Sequence, residues 1–503
     1  MLINIKYSTK VVYDMYRSRP QKELDESVLQ FLSSGTSDLQ IVSYDILGTE
    51  AHVIMLNEIG ILNIDQLKKI LKELEAILKD PDSLVIKGED IHEAIEIHLI
   101  EKLGLNLGGR IQVGRSRNDQ VATDIRMKAR DDLNNLSEDL SNLINCLLRK
   151  SEENVDSVMP LYTHLQQAQI GNLSQYLLSY SEELFRCVEN LSLAYKHVNK
   201  SPLGSGPVGG SIVNLNRYGT AKLLGFEGLI VNSIDATTSR DFIVETISAL
   251  ALLMITVSRM CEDLIIWSSQ EFGFIELDDK YVSTSSAMPQ KKNPDPLELT
   301  RSKAALLIGN VVTTLTLLKS LPSGYSRDLQ ELKLIFWNSF NIVTSSLRIL
   351  TSIFESIIVR KDVMREAVRS SYATALDIAE QLVITKNIPF RVAHKIVGAI
   401  VNFAHSHKIP VNSINQGDLR GLIHEYPSVK AEDIMEILHK TSVENSLQLR
   451  SSLGSPNPLD QQELIRVLYA QLEEIKTNIG GRKESLHISL KKLSDLVFNL
   501  VSK

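Results

Sequence analysis

A chain of 503 residues is longer than a single hydrophobic core usually supports, so two or three domains are expected. With 43% hydrophobic and 23% charged residues and a mean hydropathy near zero, it reads as a soluble globular protein, neither disordered nor membrane-embedded. A formal charge of -7 of mixed sign leaves no extended basic face, which argues against nucleic acid or an anionic membrane as a partner.

The first 114 residues are expected to form an amino-terminal helical unit that closes on a Gly-rich segment, Gly104, Gly108, Gly109 and Gly114. Its opening stretch lacks a charged region followed by an apolar one, so it is not read as a signal peptide. Beyond it, Gly and Pro are absent from residues 115–159, 172–201, 245–270 and 325–388, which predicts long uninterrupted helices. The 245–270 stretch alone would be roughly 40 Å long, the dimension of a long helical bundle. Its apolar run, 247–257, is broken by Ser248 and Thr256 and closed by Arg259, which reads as a core helix too short to span a bilayer. Residues 115–369 are therefore taken as a central long-helix bundle and 370–503 as a carboxy-terminal helical unit, giving a mainly α fold. Cys146, Cys187 and Cys261 are scattered, odd in number and set in apolar helical patterns, as expected of reduced cytoplasmic thiols.

Four polar segments beside these helices carry candidate chemistry. Gly114-Arg-Ser-Arg-Asn-Asp-Gln120 puts arginines and amides at a helix start, where they suit substrate carboxylates; a solvated N-cap explains the same residues. In Leu161-Tyr-Thr-His-Leu-Gln-Gln167, His164 can move a proton near neutral pH or be merely structural. Ser283-Thr-Ser-Ser-Ala-Met-Pro-Gln-Lys-Lys-Asn-Pro294, leading to Glu298, forms a stiffened cationic loop ahead of a helix starting near Pro294. A serine there acts as a base only if its alkoxide is stabilised, and ammonium groups and backbone N–H groups would do that. In the fourth segment, Tyr325 to Lys333, Gln330 and Lys333 are three apart and can face one pocket, although an ordinary helix start fits too. Gly204, Gly206 and Gly209 match G-x-G-x-x-G, but a helical stretch precedes them and Pro207 interrupts them, so a tight or mobile loop is expected instead of a nucleotide site. No metal site is expected, since among Cys and His only His92 and His98 approach ligand spacing.

The third segment closely resembles the signature of the fumarase/aspartase superfamily, Gly-Ser-Ser-x-Met-Pro-x-Lys-x-Asn-Pro, and its Gln290-Lys291-Lys292 is similar to the argininosuccinate lyase branch. Tyr162-Thr-His-Leu-Gln166, Asn232 to Ala236 with Ser239 to Phe242, Asp328 to Glu331 and Ile388 to Arg391 also match, so the resemblance runs from about residue 30 to about residue 460. It implies a three-domain fold around a long central bundle, assembled as a homotetramer whose active sites are each shared by three subunits. It implies cofactor-free β-elimination of argininosuccinate, with Ser285 as the base and Lys291 and Asn293 stabilising the carbanion. His164 aligns with the family's catalytic histidine and Glu298 with its carboxylate partner. Asn118, Thr163, Tyr325, Gln330 and Lys333 match substrate-binding positions; Ser34 joins them by its spacing to Asp38 and Asp45, and Arg115 and Arg240 are carboxylate-holder candidates.

Thr284 stands where the signature has Gly, and a β-branched residue resists positive φ, so loop closure is expected to differ. Tyr16-Arg-Ser-Arg19 replaces the usual Trp-Gly-Gly-Arg-Phe. Adenylosuccinate lyase, which usually carries His-Lys-Arg at 290–292, is the nearest enzymatic alternative. A structural protein on this scaffold, as lens δ-crystallins are, is the alternative outside enzymes.

Overall fold

A computed structural model describes Arg19, Lys22 and residues 24–502 apart from 82, 83 and 87, so Tyr16 to Ser18 lie outside the described residues. After two short helical segments, Glu26–Leu32 and Gly35–Asp38, come three longer helices: α1 (Val42–Glu58), α2 (Ile64–Lys79) and α3 (Ile91–Leu103). Asn63 and Gln66 cap α2 reciprocally, and the Asp90 carboxylate accepts the Glu93 N–H at the start of α3. Gly114, at φ +79°, supplies the left-handed turn that admits the 36-residue α4 (Arg117–Glu152), whose own capping box is Ser116 with Asp119.

An antiparallel hairpin, β1 (Val158–Thr163) with β2 (Gln166–Asn172), leads into α5 (Leu173–Val198), followed by α6 (Asp241–Ser268). A two-residue pairing, β3 (Ser283–Thr284) with β4 (Lys292–Asn293), leads to α7 (Asp295–Leu318), and α8 (Leu332–Ser356) completes a five-helix bundle. Within it α4 packs on α5 and α8, while α6 packs on α5, α7 and α8. The helices share one core, including Leu140, Leu184, Leu250 and Phe336, that also takes in α1 to α3. Each such side chain contributes about 1.5 to 3 kcal/mol by leaving water.

Residues 370–503 contribute to three cores, the smallest of which joins Ala373, Val443 and Leu447 to Val158, Ile170 and Val368. After α9 (Lys361–Arg369), α10 (Ala375–Lys386), α11 (Phe390–His407) and α12 (Ala431–Lys440) enclose a separate core of residues such as Ile378, Leu382, Ile396 and Ile434. The 45-residue α13 (Pro458–Ser502) instead returns along α4 and inserts Ile465, Leu472, Leu493 and Val497 into the bundle core.

By length and composition α6 is apolar enough to cross a membrane, which corrects the expectation drawn from residues 247–257: the helix runs 28 residues, with a mean hydropathy of 1.8 over its most apolar 18. Of that window 61% is buried against the rest of the chain, so α6 is a core helix here. By contrast α7 buries a narrow stripe, Leu297, Thr300, Ala304, Leu307 and Thr314, and leaves Leu299, Leu306, Ile308, Val312 and Leu315 exposed.

Helix direction alternates. Arg126, near the start of α4, donates to the His197 carbonyl at the end of α5 (2.9 Å) and lies over the Phe242 ring at the start of α6 (3.9 Å to the centroid). At the opposite end, Tyr176 of α5 donates to Asp263 of α6 (2.9 Å), and Arg301 near the start of α7 pairs with Glu262. Lys128 of α4 sits 4.7 Å from the Trp337 ring centroid, which puts the start of α8 beside the start of α4.

Glu50 of α1 is 1% exposed, its Oε1 has no hydrogen-bond partner among the described residues, and burial, with Glu75 adding, pushes its carboxyl up to about 8. The folded carboxyl thus holds its proton more tightly than the unfolded one. Its contribution to stability is complete below the ordinary value of 4.5 and is lost as pH rises toward 8. Glu50→Gln is expected to flatten that decline, whose slope reaches about 1.4 kcal/mol per pH unit, in melting curves taken between about pH 5 and about pH 8.5.

Candidate active site

The structure sorts the candidate residues between the two ends of the bundle. Ser34, Arg115, Asn118, Arg240, Tyr325, Gln330 and Lys333 lie at the end where α4, α6 and α8 begin. Thr163, His164, Ser285, Lys291, Asn293 and Glu298 lie at the other end, where α5 and α7 begin. The 25 residues of α8 alone separate the ends by roughly 35 Å.

At the first end the groups are buried or half-buried, and most of them are hydrogen-bonded or ion-paired. Ser34 Oγ donates to Asp38 (2.6 Å), and Asp38 forms a buried ion pair with Lys333. Gln330 donates to the Leu32 carbonyl (3.1 Å), so Gln330 and Lys333 both engage the segment that carries Ser34. Burial raises the Tyr325 phenol against the opposing influence of Arg240. Arg240, 2% exposed, donates to the carbonyls of Ser239 (2.8 Å) and Thr237 (3.4 Å) and so braces its own loop. Arg115 is buried and donates to Thr49 (3.0 Å), while its Nε and Nη2 have no partner among the described residues. Asn118 directs its amide N–H to the Pro207 carbonyl (2.9 Å).

Sequence reasoning missed a buried cluster behind these residues. Asp45 of α1, His92 of α3 and Asp124 of α4 bring one ligand-type atom each within 4.8 Å of one another. Burial opposes the charge on Asp45, yet the His92 cation hydrogen-bonded to it, with Arg115 beyond, holds its carboxyl low; burial and the Asp45 charge raise Asp124 well above the carboxylate range. Gln120 donates to both Asp45 oxygens (3.1 Å each). His92 Nδ1 is engaged by Asp45 and the Arg115 guanidinium lies close by, so the residues form a buried charge network. Three helices far apart in sequence supply it, and no spacing rule joins residues 45, 92 and 124.

The second end is built on two hairpins. Tyr162 packs tilted against Phe272 (5.8 Å between centroids), which meets Phe274 edge-on (5.5 Å), and this aromatic run seats β1 on the bundle. Two residues on, His164 and Leu165 form the hairpin turn at φ 57° and 56°. A tight hairpin needs positive φ at both places, and non-glycine residues there cost about 1 kcal/mol or more each. His164 is exposed at that tip. The hairpin itself was illegible in sequence, because its turn lacks the usual Asn-Gly signal.

In the second hairpin, Ser283 pairs with Asn293 and Thr284 with Lys292. Thr284 is therefore extended, a conformation that suits a β-branched side chain, and here no positive φ is demanded of it. Ser285 Oγ accepts the backbone N–H groups of Met288 (3.0 Å) and Ala287 (3.3 Å), donors aimed where an alkoxide charge would form. Lys292 is drawn away to Asp279 (2.6 Å), Lys291 is exposed, and Asn293 donates to Ser283 (3.4 Å). Glu298 is exposed on the first turn of α7, and within one chain no hydrogen bond or ion pair among the described residues joins it or Ser285 to His164.

The Gly204 loop is tied down by a carboxylate. Asp119 Oδ2 accepts the N–H groups of Gly204 and Gly206, both at 2.9 Å, which fills the place a phosphate would take in a nucleotide loop. Burial raises Asp119 to about 6, against the pull of those donors.

A long bundle that carries a serine-bearing hairpin loop at one end and buried cationic groups at the other is the architecture of the fumarase/aspartase lyases. Residues 19–309 match the family described as Lyase, and residues 372–447 the family described as Argininosuccinate lyase C-terminal. The argininosuccinate lyase of Nitrosopumilus maritimus is 41% identical over 487 residues, covering 97% of this chain and 100% of that one. That of Methanothrix thermoacetophila is 35% identical over 480 residues, covering 95% and 98%. EDDS lyase in complex with formate superposes with a TM-score of 0.83 at 29% identity, covering 92% of each chain. Class II fumarase from Schistosoma mansoni, with a TM-score of 0.67 at 16% identity over 80% of this chain and 90% of that one, shares the fold. The chain belongs to the argininosuccinate lyase family.

Lys333→Met would strand Asp38 as an unpaired buried charge. It is expected to lower stability by about 3 kcal/mol in urea unfolding, and adding Asp38→Asn should recover most of that loss.

Proposed function

We propose that this protein cleaves argininosuccinate reversibly to arginine and fumarate, as a step of arginine biosynthesis in the cytoplasm, without metal or other cofactor. Ser285, as alkoxide, takes the proton from the carbon β to the departing nitrogen. The electron pair spreads into the adjacent carboxylate, where Lys291 and Asn293 stabilise it, and then forms the double bond of fumarate as the C–N bond breaks and the guanidino group leaves as arginine. His164, oriented by Glu298, assists proton transfer at the same centre. Ser34, Arg115, Asn118, Thr163, Arg240, Tyr325, Gln330 and Lys333 hold the substrate.

The single observation that carries this reading is the pair of N–H donors on Ser285 Oγ, because they supply the stabilisation that a serine base requires. The separation of the two groups of residues along the bundle supports a homotetramer in which each site combines ends from three subunits, and the exposed apolar face of α7 supports burial against other copies.

Purified, metal-stripped protein is expected to release fumarate from argininosuccinate, read as ultraviolet absorbance. Fumarate from adenylosuccinate alone would move the assignment to that lyase. Ser285→Ala should abolish turnover with substrate binding still measurable, and retained activity would remove serine as the base. Subunits of inactive Ser285→Ala and inactive His164→Asn, unfolded and reassembled together, should regain part of the activity; if each site lay within one chain, the mixture would stay inactive.

A further inference from the structure

The Gly204–Gly210 loop has no part in the chemistry above, yet it touches one of its residues. The two oxygens of Asp119 do separate work: Oδ1 accepts the Ser116 N–H (2.8 Å) and caps α4, whereas Oδ2 accepts from Gly204 and Gly206 (2.9 Å each). Capping alone would leave the second oxygen to water. Gly206 sits at φ +65°, and a Cβ there would lie 2.7 Å from the Gly210 carbonyl oxygen, so the loop is folded tightly on itself. Between those glycines, Pro207 turns its carbonyl to the Asn118 side-chain amide at 2.9 Å. That bond decides which way the amide faces and leaves its oxygen and second N–H to a ligand. On its far side the loop reaches the turn before Tyr325, where Val208 lies 3.9 Å from a Cβ built on Gly324.

We propose that Asp119 is a positioning residue for substrate binding: by holding Gly204 and Gly206 it fixes the Pro207 carbonyl, which in turn sets the Asn118 amide in its substrate-receiving orientation. This rests on the proposed contact between Asn118 and argininosuccinate. Asp119→Asn must turn an amide N–H either toward the glycine N–H groups or toward Ser116, so it cannot keep both sets of bonds.

The test is a double-mutant cycle on the full-length enzyme, with argininosuccinate as substrate and fumarate release as the readout. Asp119→Asn is expected to raise KM about tenfold with kcat within about threefold, and to change KM less than about twofold when Asn118 is already alanine. A merely structural role would multiply KM by the same factor in both backgrounds, or lower kcat at unchanged KM, and either result overturns the proposal. Should Asp119→Asn fail to fold, Gly206→Ala displaces Pro207 with the carboxylate intact and must show the same dependence on Asn118. Wild-type protein inactive on argininosuccinate would defeat the functional reading itself, whereas active wild type without coupling defeats only the role of Asp119.

Discussion

The length and alternating direction of the bundle helices govern everything else about this protein. Hydrogen-bonded rods of 24 to 36 residues cannot bend back to bring their ends together, and antiparallel packing assigns each loop to one end or the other. The groups suited to hold anions and the serine suited to remove a proton are thereby held roughly 35 Å apart in the same chain. A rigid scaffold of this kind positions each group well, and on the proposed mechanism one chain by itself would leave each half of the chemistry incomplete. The apolar residues exposed along α7 point to how that separation is resolved, because a helix with five large apolar side chains in water is stabilised by covering them.

The two ends differ in physical character. Where α4, α6 and α8 begin, charges are buried and matched: Lys333 with Asp38, His92 with Asp45, and Arg115 close to Asp45. In low dielectric such groups tolerate little displacement, so this end is preorganised. At the other end the residues proposed for proton transfer ride on two exposed hairpins, one closed by a left-handed His164–Leu165 turn and one held at its base by two residue pairs. Weakly paired, solvent-facing segments are the ones able to move over a ligand.

The Ser116–Gln120 segment combines helix capping with contacts to a distant loop. Ser116 and Asp119 are there because a long helix needs its first N–H groups satisfied, and the same geometry delivers Asn118 to the loop at Pro207. The G-x-G-x-x-G match is thus a loop organised by a protein carboxylate instead of by a ligand's phosphate.

Much of the fold was legible in residue order alone. The stretches 115–159, 172–201 and 245–270 became α4, α5 and α6, whereas 325–388 broke into α8, α9 and α10 without any Gly or Pro between them; the cap at Ser116 and the Pro-led start of α7 appeared where turn chemistry puts them, since these are local effects spanning a few residues. The polar segments were also visible, because their composition breaks the apolar periodicity around them. Other features needed the folded chain. The β1–β2 hairpin has a turn that only its surroundings can stabilise, Thr284 proved compatible with its place once its strand partner was known, and α13 joins the bundle core although it follows the α10–α12 unit in sequence. The Asp45–His92–Asp124 network and the hold of Asp119 on the Gly204 loop likewise depend on contacts between residues tens of positions apart. Local hydrogen bonding and helical periodicity are written in neighbouring residues, whereas the pairing of buried charges is decided by which helices pack together, and that is settled only when the whole core forms.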